Sequence, residues 1–233
     1  MDLRLTLLRE FCLERSGTCV EVPASTQRLL AFLALRGPAH RCHVAGTLWP
    51  DVPERQALAS LRTGVWRINR IQADLVECDG SVVGIPAAMQ IDSRDQEGFA
   101  TDLLRERVED DGWIGERLGT IWPGELLPGW YDDWVVFERE RLSQLRLHAL
   151  EYLAALMVRR NNLDFALQLA LEAVRTEPLR ETANARLIEV YLAEGNVYDA
   201  VHQYDSYRAL LDRELGLAPS PAVTGLLPAV RRR

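Results

Sequence analysis

The sequence predicts a mostly α-helical protein with a small β part: an N-terminal winged helix-turn-helix followed by an all-helical, tetratricopeptide-like region. Three observations carry that expectation. The first 22 residues alternate apolar and polar side chains, the period of a half-buried strand. A long amphipathic stretch, 54–72, precedes two β-prone runs joined by an Asp-Gly pair. Beyond residue 134, apolar positions recur at helical spacing and repeat every 34 residues.

The elements follow in order. Leu3-Arg4-Leu5-Thr6-Leu7 begins the alternation, and Phe11, Leu13, Val20 and Val22 continue it around a Ser16-Gly17 turn. This predicts a small antiparallel sheet. Ser25 or Thr26 is the expected cap of a buried helix over 27–36, closed by Gly37-Pro38. A short helix over 41–48 ends at Trp49-Pro50-Asp51-Val52-Pro53, because two prolines cannot continue it. A third helix over 54–72 places Leu58, Leu61, Val65 and Ile68 on one stripe. Asp79-Gly80, between Leu75-Val76-Glu77-Cys78 and Ser81-Val82-Val83, marks a hairpin. Sheet, two helices, a long amphipathic helix and a hairpin make a winged helix with an added N-terminal sheet, expected over 1–91.

The second domain is expected over 92–233. A short helix over 99–107 precedes a loop-rich segment, 109–134, that carries four of the six tryptophans. Helices are then expected over 134–160, 164–176, 180–193 and 198–215. Leu153 and Leu187, Ala166 and Ala200, and Leu163 and Val197 are each 34 apart, with Asn161-Asn162 and Gly195-Asn196 at matching turns. Stacked helical hairpins have this period, and small alanines at a crossing let helices approach closely.

The charge distribution favours two kinds of partner. Net charge is −7, and all 27 basic residues are arginine. Through residue 90, ten arginines meet nine acids; the rest of the chain is strongly acidic. A near-neutral front half with clustered arginines can bind DNA, because local field governs contact. The acidic remainder suits protein partners. No apolar run approaches the roughly 20 residues of a membrane helix, and no signal-like segment occurs, so a cytoplasmic, nucleoid-associated protein without membrane contact is expected. Cys12, Cys19, Cys42 and Cys78 form no CxxC pair and are expected as free thiols.

On the third helix, Thr63, Trp66, Arg67 and Arg70 lie opposite the apolar stripe, with Arg62 on the flank. An exposed face of this kind fits a major groove, where the arginine fork matches guanine edges and phosphates. Trp66 could touch a sugar or a thymine methyl, or tuck under the hairpin. The hairpin tip carries Asp79 and no arginine, so a backbone contact from Ser81 is expected rather than insertion into the minor groove. His40, Cys42 and His43 crowd one helix start and lack the fourth ligand of a closed zinc site, so no metal is expected. The adjacent acids Asp110-Asp111 and Asp132-Asp133 do not converge on a substrate. With no GxSxG, HExxH or glycine-rich phosphate loop, neither catalytic residues nor a cofactor are expected.

Four segments in this order resemble the SARP family (Streptomyces antibiotic regulatory proteins). They are Leu48-Trp49-Pro50-Asp51; Ala59-Ser60-Leu61-Arg62-Thr63 with Trp66-Arg67-Ile68; Trp130-Tyr131-Asp132-Asp133-Trp134 with Glu138-Arg139-Glu140-Arg141-Leu142; and Glu214-Leu215-Gly216-Leu217 with Pro219-Ser220-Pro221. The resemblance implies an OmpR-type winged helix joined to a bacterial transcriptional activation domain. It implies an activator that binds direct repeats in promoter DNA before biosynthetic genes, and that recruits RNA polymerase in part through the sigma factor. It also implies side-by-side homodimers. Ser60, Arg62, Thr63, Trp66, Arg67 and Arg70 would then face the groove. Larger relatives append an ATPase domain; with no GxxxxGK[ST] motif, this chain is expected to be a small member. It departs from the pattern at Gly64, in the helix interior, and at Asn69, where a basic residue is usual. These departures and the low basicity motivate a rival expectation, a protein-interaction scaffold that has lost DNA binding.

Overall fold

The computed structural model describes residues 3–106, 111–117, 119 and 124–227. Asp110, Trp122 and Arg231-Arg232-Arg233 lie outside the described residues. Two compact units are present: one comprises Met1–Gly98 and Trp122–Leu142, the other Phe99–Ile121 and Ser143–Arg233.

The first unit begins with β1 (Leu3–Thr6), β2 (Cys12–Arg15) and β3 (Thr18–Val20), an antiparallel meander. Ser16 and Gly17 form its two-residue turn, both at positive φ (50° and 79°), as a tight hairpin requires. Cys12 and Cys19 are joined by a disulfide, their Cα atoms 6.1 Å apart. This corrects the expectation of four free thiols: neighbouring strands of one hairpin hold the pair within bridging reach.

Helix α1 (Ala24–Arg36) starts at Pro23, earlier than the expected cap at Ser25 or Thr26; Thr26 is instead fully buried. Residues 29–34 are all buried, so α1 is the unit's central helix. Strand β4 (Ala39–His40) and helix α2 (Arg41–Leu48) follow, with the His40 ring nitrogen Nδ1 accepting the Cys42 N–H as the α2 cap. After α3 (Glu54–Ile71) come β5 (Glu77–Asp79) and β6 (Val82–Gly84), which with β4 form a three-stranded sheet in the order β4-β6-β5. Strand β7 (Gln90–Ile91) then returns to lie parallel to β1, completing the first sheet in the order β3-β2-β1-β7.

Helix α4 (Asp92–Glu106) begins seven residues before the expected start at 99. The intervening residues are polar and carry no apolar period, but the buried Asp92 carboxylate accepts the N–H groups of Ser93, Leu7 and Leu8. Burial pushes this carboxyl above its ordinary value, against those hydrogen bonds and the charge of Arg4.

A boundary at 91 leaves out a segment that belongs with the first unit. Leu127 N–H donates to Leu7 O and Arg9 N–H to Glu125 O, each at 2.8 Å, so residues 125–127 pair antiparallel with residues 7–9, just beyond β1. Arg139, in the first turns of α6 (Asp133–Arg159), donates to the carbonyls of Leu126, Leu127 and Trp130 at 2.7–2.9 Å. Glu138, 3% exposed, lies between Arg36 (3.0 Å) and Arg141 (2.7 Å).

The second unit holds α5 (Asp111–Arg117), in the segment expected to be loop-rich, and the rest of α6. Helices α7 (Leu163–Thr176), α8 (Glu181–Ala193), α9 (Val197–Leu215) and α10 (Pro221–Thr224) follow. The 34-residue period extends to the backbone. Asn161 and Gly195 both adopt positive φ (58° and 81°). Asn162 N–H donates to Met157 O, and Asn196 N–H to Tyr191 O, at 3.0 and 2.9 Å. Ala166 and Ala200 are completely buried, as helix crossings without side-chain bulk require. Among the described residues no helix is long and apolar enough to cross a membrane.

Candidate nucleic-acid interface

Pro53 fixes the start of α3, and eighteen residues run without interruption to Ile71. Ala57, Leu61 and Ile68 are buried in the unit's core; Leu58 and Val65 are only half-buried. The expected four-residue stripe is therefore completely covered only at Leu61 and Ile68.

The departure at Gly64 has a packing reason. A Cβ built there would lie 3.0 Å from Leu29 Cδ2 of α1, so glycine lets α1 approach α3 closely. The departure at Asn69 has a hydrogen-bonding reason. Its Nδ2 donates to Val76 O and its Oδ1 accepts Val76 N–H, both at 2.9 Å. One amide thus ties the recognition-helix candidate to the base of the hairpin, in a geometry that a flexible cation cannot reproduce.

Beyond these anchors, α3 turns a polar row outward. Arg62, Thr63, Trp66, Arg67 and Arg70 are all exposed, and Ser60 is half-buried on the flank. Arg62, Trp66 and Arg70 follow one another at intervals of four, with Thr63 and Arg67 beside them, so helical geometry puts all five on one face. The Thr63 hydroxyl donates to Ala59 O at 3.0 Å. The Arg70 guanidinium lies 5.0 Å from the centre of the Trp66 ring, which is 58% exposed. The helix carries four arginines against the single acid Glu54, and among the described residues none of Arg62, Arg67 and Arg70 has a carboxylate partner. A net charge of −7 thus conceals a locally basic helix.

The hairpin differs slightly from its sequence reading. Asp79 pairs with Val82, so the two-residue turn is Gly80-Ser81, one position later than Asp79-Gly80, and Gly80 has φ 55°. Ser81 is exposed at the tip, while its carbonyl accepts Arg41 N–H at 2.8 Å, fixing the hairpin to the start of α2. Glu77 and Asp79 are exposed and no arginine occurs between residues 77 and 84, so the hairpin itself is acidic. Two residues absent from the sequence-level site, Arg41 and Cys78, join α3 in lining a groove of about 430 Å³ beside the hairpin. No local pattern marks them; only the folded register brings them to α3. Among the described residues no cluster of His, Cys, Asp or Glu could hold a metal ion.

The family model for the bacterial transcriptional activator domain matches residues 119–231. Over 252 aligned residues the chain is 30% identical to the regulatory protein AfsR of Streptomyces griseus, covering 99% of this chain and 24% of that protein. Its identity to the regulatory protein AfsR of Streptomyces coelicolor is 29% over 231 residues, covering 91% and 22%. The chain therefore spans about a quarter of the length of these curated relatives. Among solved structures it resembles Mycobacterium tuberculosis EmbR, determined in complex with a low affinity phosphopeptide. The TM-score is 0.77 at 19% identity, covering 97% of this chain and 64% of that one, a likeness of fold.

Proposed function

We propose that this chain, which belongs to the SARP family of transcriptional activators, reads double-stranded promoter DNA through α3. One observation carries the reading: Arg62, Arg67 and Arg70 share an exposed helix face, together with Thr63 and Trp66, and have no carboxylate partner among the described residues. Arg67, near the middle of the row, reaches a base edge; Arg62 and Arg70 contact base or phosphate, and Ser60 and Thr63 supply hydroxyl contacts. Ser81 meets the backbone beside the groove, and the acidic hairpin stays out of the minor groove.

In this reading residues 1–91 form the reader, and 92–233 contact RNA polymerase, including its sigma factor, at the nucleoid. Two chains on direct repeats gain affinity because the second binding step becomes intramolecular. The genes served are those of secondary metabolism.

The test is selection of duplexes from a random pool by the purified chain, repeated with Arg67→Ala. The expected outcome is a tandem motif enriched by the wild type alone. For one such duplex, Arg67→Ala should weaken binding by about 1–3 kcal/mol. A folded protein that enriches nothing would favour the scaffold expectation.

A further inference from the structure

The groove between α3 and the hairpin has a chemistry of its own. Its volume is about 430 Å³, the size of a small-molecule site. Leu58, Val65 and Trp66 give it an apolar wall that the hairpin leaves partly uncovered. Asn69 also lines it, but both ends of its amide are taken by Val76. The polar groups left over are cationic. Arg62 has no carboxylate partner among the described residues, and Arg41 Nε is buried without a hydrogen-bond acceptor. Among the described residues no acid lines the groove. Along β5, Cys78 faces it, so strand alternation turns Glu77 and Asp79 to the opposite side.

Two guanidinium groups with no acid among the lining residues are one unmet demand, and an apolar wall open to water is another. One kind of molecule answers both. We propose that this groove binds an aromatic carboxylate, its ring against Leu58, Val65 and Trp66 and its carboxylate on Arg41 and Arg62. Arg62 and Trp66 belong also to the outward row of α3, so the bound carboxylate and DNA exclude each other. This last clause rests on the DNA-reading proposal; the binding itself does not.

The experiment is calorimetric titration of the full chain with 2-naphthoate, and with 2-naphthamide as its neutral counterpart. The carboxylate should bind at least tenfold more tightly than the amide. Arg41→Gln should reduce that difference several-fold, Arg62 alone remaining on the carboxylate, while leaving the amide's affinity unchanged. Cys78→Phe, which fills the groove, should abolish binding of both with the near-ultraviolet circular dichroism preserved. Absence of naphthoate binding at millimolar concentration, equal affinity for acid and amide, or full affinity in Arg41→Gln would overturn the proposal. None of these readouts needs DNA. With a selected duplex, naphthoate should raise the apparent Kd of the wild type more than that of Arg41→Gln. Ligand binding by a chain that binds no DNA would refute the DNA reading alone; ligand binding with unaltered DNA affinity would refute the mutual exclusion.

Discussion

Arginine has opposite fates in α3 and in the helical unit. On α3, Arg62, Arg67 and Arg70 reach solvent without a carboxylate partner among the described residues. In the helical unit, Arg180 donates to Glu151 at 2.6 Å and to Gln144 at 2.8 Å, with the Arg180 side chain 18% exposed. Arg146 and Arg175 converge on Glu172, and Arg186 pairs with Glu189. The same side chain is spent on stability in one region and left available in the other. Net charge averages over both and therefore misleads about each.

The comparison can be broken in several places, from the largest expected effect downward. Arg180→Ala leaves the mostly buried Glu151 without its ionic partner, only the Thr182 hydroxyl still donating to it, and should cost about 3 kcal/mol in urea denaturation. Arg67→Ala should weaken DNA binding by about 1–3 kcal/mol, while changing stability by no more than about 0.5 kcal/mol, since it removes an exposed side chain. Asn69→Ala removes both partners of the Val76 backbone, and should cost about 1–3 kcal/mol, with faster hydrogen exchange at Val76. Gly64→Leu forces α3 away from Leu29, and should cost about 1–3 kcal/mol by overpacking. A small increment is enough to show whether the α1–α3 approach positions the outward row.

The smallest effect concerns pH. Burial pushes Glu172 up, but the hydrogen bonds and charges of Arg175 and Arg146 outweigh it and hold the carboxyl below its ordinary value of 4.5. Its contribution is complete above that value and is lost as pH falls through the lowered folded value. Asp92 has the opposite sign: its raised folded value means that its contribution declines as pH rises from 3.8 through that value. Acid titration of stability should therefore be shallower below pH 4.5 in Glu172→Gln than in the wild type.

Periodic features of this fold were legible in the sequence. The apolar stripe at Leu61 and Ile68, the turn at Ser16-Gly17 and the repeat at Asn161 and Gly195 each follow from local chemistry, and each is where spacing puts it. Features that depend on distant partners were not legible. Asp92 starts a helix because Leu7 and Leu8 present their amides to it. Arg139 stitches in a segment whose carbonyls come from residues 126–130. Cys12 and Cys19 are seven residues apart without a CxxC motif, and only the hairpin register brings them together. For the candidate site, the exposed row was legible from helical period alone. The meanings of Gly64 and Asn69 required Leu29 and Val76, neighbours on other elements.

The most direct test measures two quantities, DNA affinity and urea stability, on two variants, Arg67→Ala and Arg180→Ala. The prediction is a double dissociation: Arg67→Ala loses affinity for the selected duplex and keeps its stability, whereas Arg180→Ala loses stability and, below its unfolding transition, keeps its affinity. Equal affinity for the wild type and a folded Arg67→Ala would contradict the assignment of α3 as the reading helix.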